Sequence, residues 1–240
     1  MTKRAILLSL AAVLLAAVCF GLGWHLRRAK DAAETPASGG KSAERVYYAP
    51  NDFYAMESDG GLHILSGFRT YQQKEEYTCG AASSLMVLRW FGDESWDEAR
   101  LAERMEADPA KGVSVENLAG FFTSQGWQTE IHMDTEPLFA IEKDFEAFLA
   151  EKIDAGIPVI VDWMDWGGHW QVVIGFDTCG TEDTRDDVVI LADPYDTTDD
   201  SQDGYYTYPL ERFFYMWQEG PCAQKDDPYI QPFVCAYPAA

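Results

Sequence analysis

Cys79 stands at the head of an apolar run in YQQKEEYTCGAASSLMVLRWFG, residues 71–92. Ala81, Ala82, Leu85, Met86, Leu88 and Trp90 recur behind it at the spacing of a buried helix, and Gly92 reads as the stop. A thiol at a helix N-terminus feels the positive end of the helix dipole, which favours the thiolate and makes Cys79 a candidate nucleophile. The polar loop ahead of it carries Gln72 and Gln73, and a glutamine amide there could help to hold an oxyanion. Of the four histidines, His169 follows Gly167-Gly168 at the mouth of the run HWQVVIGFD. Asp193 closes the run VVILADPY just before Pro194. Each of the three has a plain structural alternative: a small core thiol, a satisfied core imidazole, an Asp-Pro turn. Together, a thiol, an imidazole and a carboxylate in this order can act as nucleophile, general acid/base and orienting group.

Such a set needs elements that bring the three side chains to one place. SWDEARLAERM has Glu98 three residues after Ser95, the capping-box pattern, and predicts a second helix. VSVENLAGFFTSQGW predicts a third, capped by Ser114 and stopped near Gly126, and residues 127–133 then alternate as a strand. Phe145, Phe148, Leu149 and Ile153 mark a fourth helix that ends at Gly156. Val46, Tyr47 and Tyr48, and then Leu62, Ile64 and Leu65, suit short leading strands. IPVIVDWM, HWQVVIGFD and DDVVILADPY are apolar runs separated by glycine-rich or acidic loops, as adjoining antiparallel strands would be. Helices first and a sheet second, with no internal repeat, is the pattern of an α+β domain.

Composition limits the partners. The net charge is −22, and because residues 1–45 hold seven basic and three acidic side chains, residues 46–240 carry 11 basic against 37 acidic. That surface repels nucleic acid and anionic headgroups, so nucleic acid is excluded as a partner. Residues 1–30 form a basic-flanked apolar segment of about 20 residues, enough to cross a bilayer as an uncleaved anchor, and the globular part is expected outside the cytoplasm. Residues 31–45, rich in small and polar side chains, read as a flexible linker in which Gly39-Gly40 is a plain glycine pair. Residues 46–240 have the composition of one globular domain.

The motifs QKEEYTCGAAS, GGHWQVVIGFD and LADPY resemble the bacteriocin-processing, double-glycine leader peptidase family and its stand-alone, peptidase C-thirty-nine-like relatives. These are papain-like cysteine peptidases, and TYPLERFFYMW at residues 207–217 resembles the family's segment after its last strand. The resemblance implies a papain-like fold, with the nucleophile helix in an N-terminal helical part and an antiparallel sheet after it. It implies Cys79 as nucleophile, His169 and Asp193 completing the triad, and Gln73, six positions before Cys79, as the oxyanion donor. Gln72 misses that spacing by one. The sequence has no transporter or nucleotide-binding region, so the similarity is to the stand-alone members. The expected activity is hydrolysis of a peptide or protein by a membrane-tethered thiol peptidase without a cofactor. The alternatives are an amide hydrolase or acyltransferase using the same triad, or a peptide-binding module that catalyses nothing.

Four cysteines lie outside this set. Cys19 falls in the apolar segment, and Cys222 could pair with Cys235 in an oxidising compartment, closing a loop worth about 3 kcal/mol. Cys179 with either is the alternative pairing. No cysteine or histidine spacing suggests zinc. Asp199, Ser201, Asp203 and Gly204 fit the first half of a calcium loop, but Leu210 stands where the glutamate is needed, so a solvated acidic loop is preferred and no metal is expected. Trp163, Trp166 and Trp170 surround His169 and suit either a cleft wall or the core.

Overall fold

Apolar residues run almost without interruption through the later strands, so both faces of the sheet need cover. In the computed structural model, which describes residues 51–163, 168–196, 202–218 and 228–239, both faces have it. The strands are β1 (Leu62–Ile64), β2 (Gln128–Asp134), β3 (Val159–Trp163), β4 (His169–Asp177), β5 (Val188–Ala192), β6 (Tyr205–Pro209) and β7 (Ile230–Tyr237). They form one antiparallel sheet in the order β2-β7-β3-β4-β5-β6, with β1 paired on β4. From Asp52 onward the described residues belong to one compact unit.

Alternation along the strands sorts the core into two layers. Ile160, Val172, Ile174, Ile190, Ala192 and Val234 face a cluster built on α1 (Cys79–Trp90), α2 (Glu98–Arg104) and α3 (Val115–Ser124). Val159, Val161, Trp163, Val173, Leu191 and Phe233 face the aromatic cluster of α4 (Glu142–Asp154) and α5 (Leu210–Gln218). There Phe145 packs on Trp217 with ring centroids 5.1 Å apart, a contact worth about 1 kcal/mol beyond the buried area.

The expected helices and the adjoining strands β3, β4 and β5 are present, and Ser114 caps α3 by accepting from the Asn117 N–H at 3.2 Å. The second helix begins later than the capping-box pattern implies. Asp97, not Ser95, is the cap and accepts from the Arg100 N–H at 2.9 Å. Ser95 is taken up locally, its N–H and hydroxyl both donating to Asp93 Oδ1. Glu98 therefore enters the helix and turns inward.

The chain is also less segregated than a helices-then-sheet reading suggests. β1 precedes α1, β2 lies between α3 and α4, and β7 inserts between β2 and β3. The 1–30 segment, the 31–45 linker with Gly39-Gly40, and Val46, Tyr47 and Tyr48 lie outside the described residues. Among the described residues no helix is long and apolar enough to cross a membrane.

Candidate active site

Cys79 is the first residue of α1 and is buried at 8% exposure. Close packing fixes its place. A Cβ on Gly80 would lie 2.9 Å from Val113 Cβ and 3.0 Å from Trp170 Cδ1, so the first turn of α1 comes closer to β4 than any other residue there would permit. Ser83 Oγ donates to the Trp170 carbonyl at 3.0 Å, and Trp170 Nε1 donates to the Val113 carbonyl at 2.8 Å. These bonds set the start of α1 against the start of β4, whose first residue is His169. Gly168, at φ +117°, supplies the left-handed turn that leads into it.

The antiparallel register places Val172 opposite Ala192, which brings the beginning of β4 and the end of β5 to the same edge of the sheet. There His169 Nε2 and Asp193 Oδ1 are 2.7 Å apart, both residues buried. Cys79 lies near enough to the same imidazole to interact with it. With Nε2 committed to Asp193, Nδ1 is the nitrogen left for the thiol. Burial disfavours the charged ring, but the Asp193 hydrogen bond and the interactions with Asp193 and Cys79 outweigh it and raise the His169 pKa well above its ordinary value. Burial likewise works against the Asp193 carboxylate. The His169 hydrogen bond and charge, with the backbone N–H groups of Tyr195 and Asp196, hold its pKa below the ordinary value. The Tyr195 N–H donates to Asp193 Oδ1 at 2.8 Å, so the Asp-Pro turn read from the sequence is also what aims the carboxylate.

Both glutamines ahead of Cys79 are strapped to that turn. The Gln73 N–H donates to the Pro194 carbonyl at 2.7 Å, and Gln72 Nε2 donates to the Tyr195 carbonyl at 2.8 Å. Gln72 is exposed, and Gln73 is half-buried with its Nε2 donating to the Glu75 carbonyl at 2.8 Å, which leaves one amide hydrogen free to point elsewhere. The four sequence-predicted residues thus sit on two loops and two element ends that are joined by hydrogen bonds.

Cys79 opens onto a cavity of about 190 Å³ lined by Tyr77, Lys111, Val113, Asp162, Gly168 and Trp170. Of the tryptophans named from the sequence, Trp170 lines this cleft. Trp163 does not, being fully buried against Tyr208 and Phe213 on the other side of the sheet, and Trp166 lies outside the described residues. Among the described residues no group of three or more His, Cys, Asp or Glu could hold a metal ion; Asp199 and Ser201 of the acidic loop lie outside them. Cys179 and Cys235 are free thiols, the first exposed and the second fully buried, so they do not pair with each other. Cys222 lies outside the described residues.

Sequence reasoning missed two contributors. Asp162 projects from β3 into the cleft within a run that reads as wholly apolar. Glu98 shares the buried stripe of α2 with Leu101 and, one turn on, Met105, and that 3–4 spacing was the available signal.

The peptidase domain of Streptococcus ComA, a bifunctional ABC transporter involved in quorum sensing, is 17% identical, with 72% of this chain and 99% of that one covered and a TM-score of 0.47. A C39-like peptidase from Bacillus anthracis is 16% identical, with 75% of this chain and 98% of that one covered and a TM-score of 0.51, which supports a shared fold. No curated protein matches. The model of the Peptidase_C39 like family matches residues 65–222, a stretch that holds Cys79, His169 and Asp193, and the chain belongs to that family of cysteine peptidases.

Proposed function

We propose that this protein hydrolyses peptide bonds through an acyl-enzyme on Cys79. The observation that carries the proposal is a buried imidazole near Cys79, with His169 Nε2 and Asp193 Oδ1 2.7 Å apart and Cys79 opening onto a cleft. The raised His169 pKa favours the protonated ring, an imidazolium ready to give its proton to a leaving group. The Cys79 thiolate attacks the scissile carbonyl carbon, and the carbonyl π electrons move onto oxygen. Gln73, through its second amide hydrogen, stabilises that oxyanion together with the amides at the head of α1. The tetrahedral adduct collapses, the C–N bond breaks, and His169 gives its proton to the departing amine. His169, now neutral, takes a proton from water as the water attacks the thioester; the acid product leaves and the thiolate returns. Asp193 keeps the ring oriented and stabilises its charged form throughout. The basic-flanked apolar segment in residues 1–30 is long enough for a membrane tether, and we place the activity outside the cytoplasm by analogy with short N-terminal anchors.

A peptide-library digest tests the reading. Residues 46–240 should cleave peptides and react with a thiol-directed probe at Cys79, and Cys79→Ala should lose both. Full-length protein should sediment with membranes while the shorter chain stays in solution. An alanine variant that cleaves as well as the wild type would remove Cys79 from the mechanism, and intact peptide affinity with an unreactive Cys79 would mark a binding module.

A further inference from the structure

Glu98 is a carboxylate at 2% exposure, and its three hydrogen bonds all go to the loop that precedes Cys79. Tyr71 OH donates to Oε2 at 3.1 Å, and the Lys74 N–H and the Thr78 hydroxyl donate to Oε1 at 2.8 and 2.5 Å. Thr78 is the N-cap of α1. A threonine there ordinarily turns its hydroxyl onto an amide of the first helical turn. Thr78 makes no such bond: its Oγ1 is turned toward Glu98 Oε1, to which it donates at 2.5 Å, and toward the Glu75 N–H, from which it accepts at 3.3 Å. The first amides of α1, which have no helical partner of their own, are thereby left without a side-chain cap beside the Cys79 sulfur.

We propose that Glu98 is a positioning residue of this peptidase, drawing the Thr78 hydroxyl off the first turn of α1 so that its amides serve the Cys79 thiolate and the oxyanion. This rests on the peptidase reading above. The same carboxylate fixes the Lys74 N–H next to Gln73, so it sets both sides of the oxyanion site at once. The negative charge of Glu98 does nothing for a thiolate, and the benefit comes through the hydroxyl it withholds. Glutamine at this position keeps Oε1 for Lys74 and Thr78 and offers its amide to Tyr71, which separates the hydrogen bond from the charge.

The test compares Glu98→Ala, Glu98→Gln and the double variant Glu98→Ala with Thr78→Val. The measurements are kcat and KM on a peptide substrate and the rate of Cys79 alkylation by iodoacetamide, referred to the exposed Cys179 in the same sample. Glu98→Ala should lower kcat and relative Cys79 alkylation by about tenfold with KM little changed, since the freed hydroxyl swings onto the helix. Glu98→Gln should stay within about threefold of wild type, and the double variant should regain most of the loss, because valine has no hydroxyl to cap with. Wild-type reactivity in Glu98→Ala overturns the proposal, as does a double variant no better than the single one, which would make Glu98 a packing residue. Alkylation that falls and recovers as expected in a protein that cleaves no peptide sinks the peptidase reading and leaves the Glu98 arrangement standing.

Discussion

β5 has a buried aspartate immediately before it and another immediately after it, and the two are pushed in opposite directions. Asp187 is 2% exposed and Asp193 is 1% exposed, so both carboxylates lose most of their hydration. For Asp187, burial is the main cause and the nearby Glu146 charge adds to it, and together they raise its pKa to about 6. Asp187 Oδ1 finds no hydrogen-bond partner among the described residues. Burial acts on Asp193 in the same sense and is overcome by the His169 hydrogen bond and charge and by two backbone N–H groups. Desolvation alone therefore does not fix the charge state of a buried carboxylate. A hydrogen-bonded partner that gains from its charge keeps a buried carboxylate ionised, and the register of β4 delivers His169 to the far end of β5.

The sharpest way to break this contrast is Asp193→Ala. It should cut kcat/KM by about a hundredfold or more, since the ring loses its orientation and its counter-charge. The same change should cost about 3 kcal/mol of stability by leaving a buried imidazole unpaired. The lowered Asp193 pKa contributes stability above 3.8 that is lost as pH falls, and the raised His169 pKa contributes stability below 6.5 that is lost as pH rises through its folded value. Denaturant melts should therefore show the largest difference from wild type between those two values. Equal melts at all pH would deny the pair any mutual stabilisation.

Asp187→Asn should do the reverse. A raised carboxylate pKa costs stability above about 6, and the cost is relieved as pH falls toward 3.8. The asparagine variant should gain about 1–2 kcal/mol at pH 7.5, nothing at pH 3.5, and leave kcat/KM within about twofold. A large loss of activity would mean that the two ends of β5 are coupled. The smallest change is expected from Glu146→Gln, read by carboxyl NMR. It should lower the Asp187 pKa part of the way only, because burial, the larger cause, remains. A complete return to 3.8 would reverse that ranking.

What the sequence disclosed follows from how locally each feature is encoded. α1 and α3 were legible because apolar residues such as Leu85 and Leu118 recur at helical spacing, and β3 to β5 because they are apolar runs bounded by loops. The three candidate site residues were legible as element ends. That β4 and β5 are neighbours was an inference from adjacency, and their register, which sets the 2.7 Å contact, is encoded in no short segment. β7 escaped notice for a physical reason. Pro232 cannot donate to a ladder and Gln231 takes φ +53°, so the segment reads as a loop although it is a central strand. Gln231 compensates by accepting from the Phe139 N–H and donating to the Phe139 carbonyl. Glu98 escaped because a glutamate three residues after a serine looks like a capping partner, and only its place on the buried stripe of α2 contradicts that.

The insertion of β7 between β2 and β3 sets the order in which this enzyme can be made. Until residues 230–237 leave the ribosome, β2 and β3 have no common partner and the Val159 to Val161 edge of β3 stands open. A nascent chain can carry Cys79, His169 and Asp193 well before that edge closes. The sheet that aligns them is completed late, by a pairing distant in sequence and therefore slow. During that interval the unpaired strand is a template for another chain. Its closure is then the step that separates an unfinished polypeptide from a completed sheet.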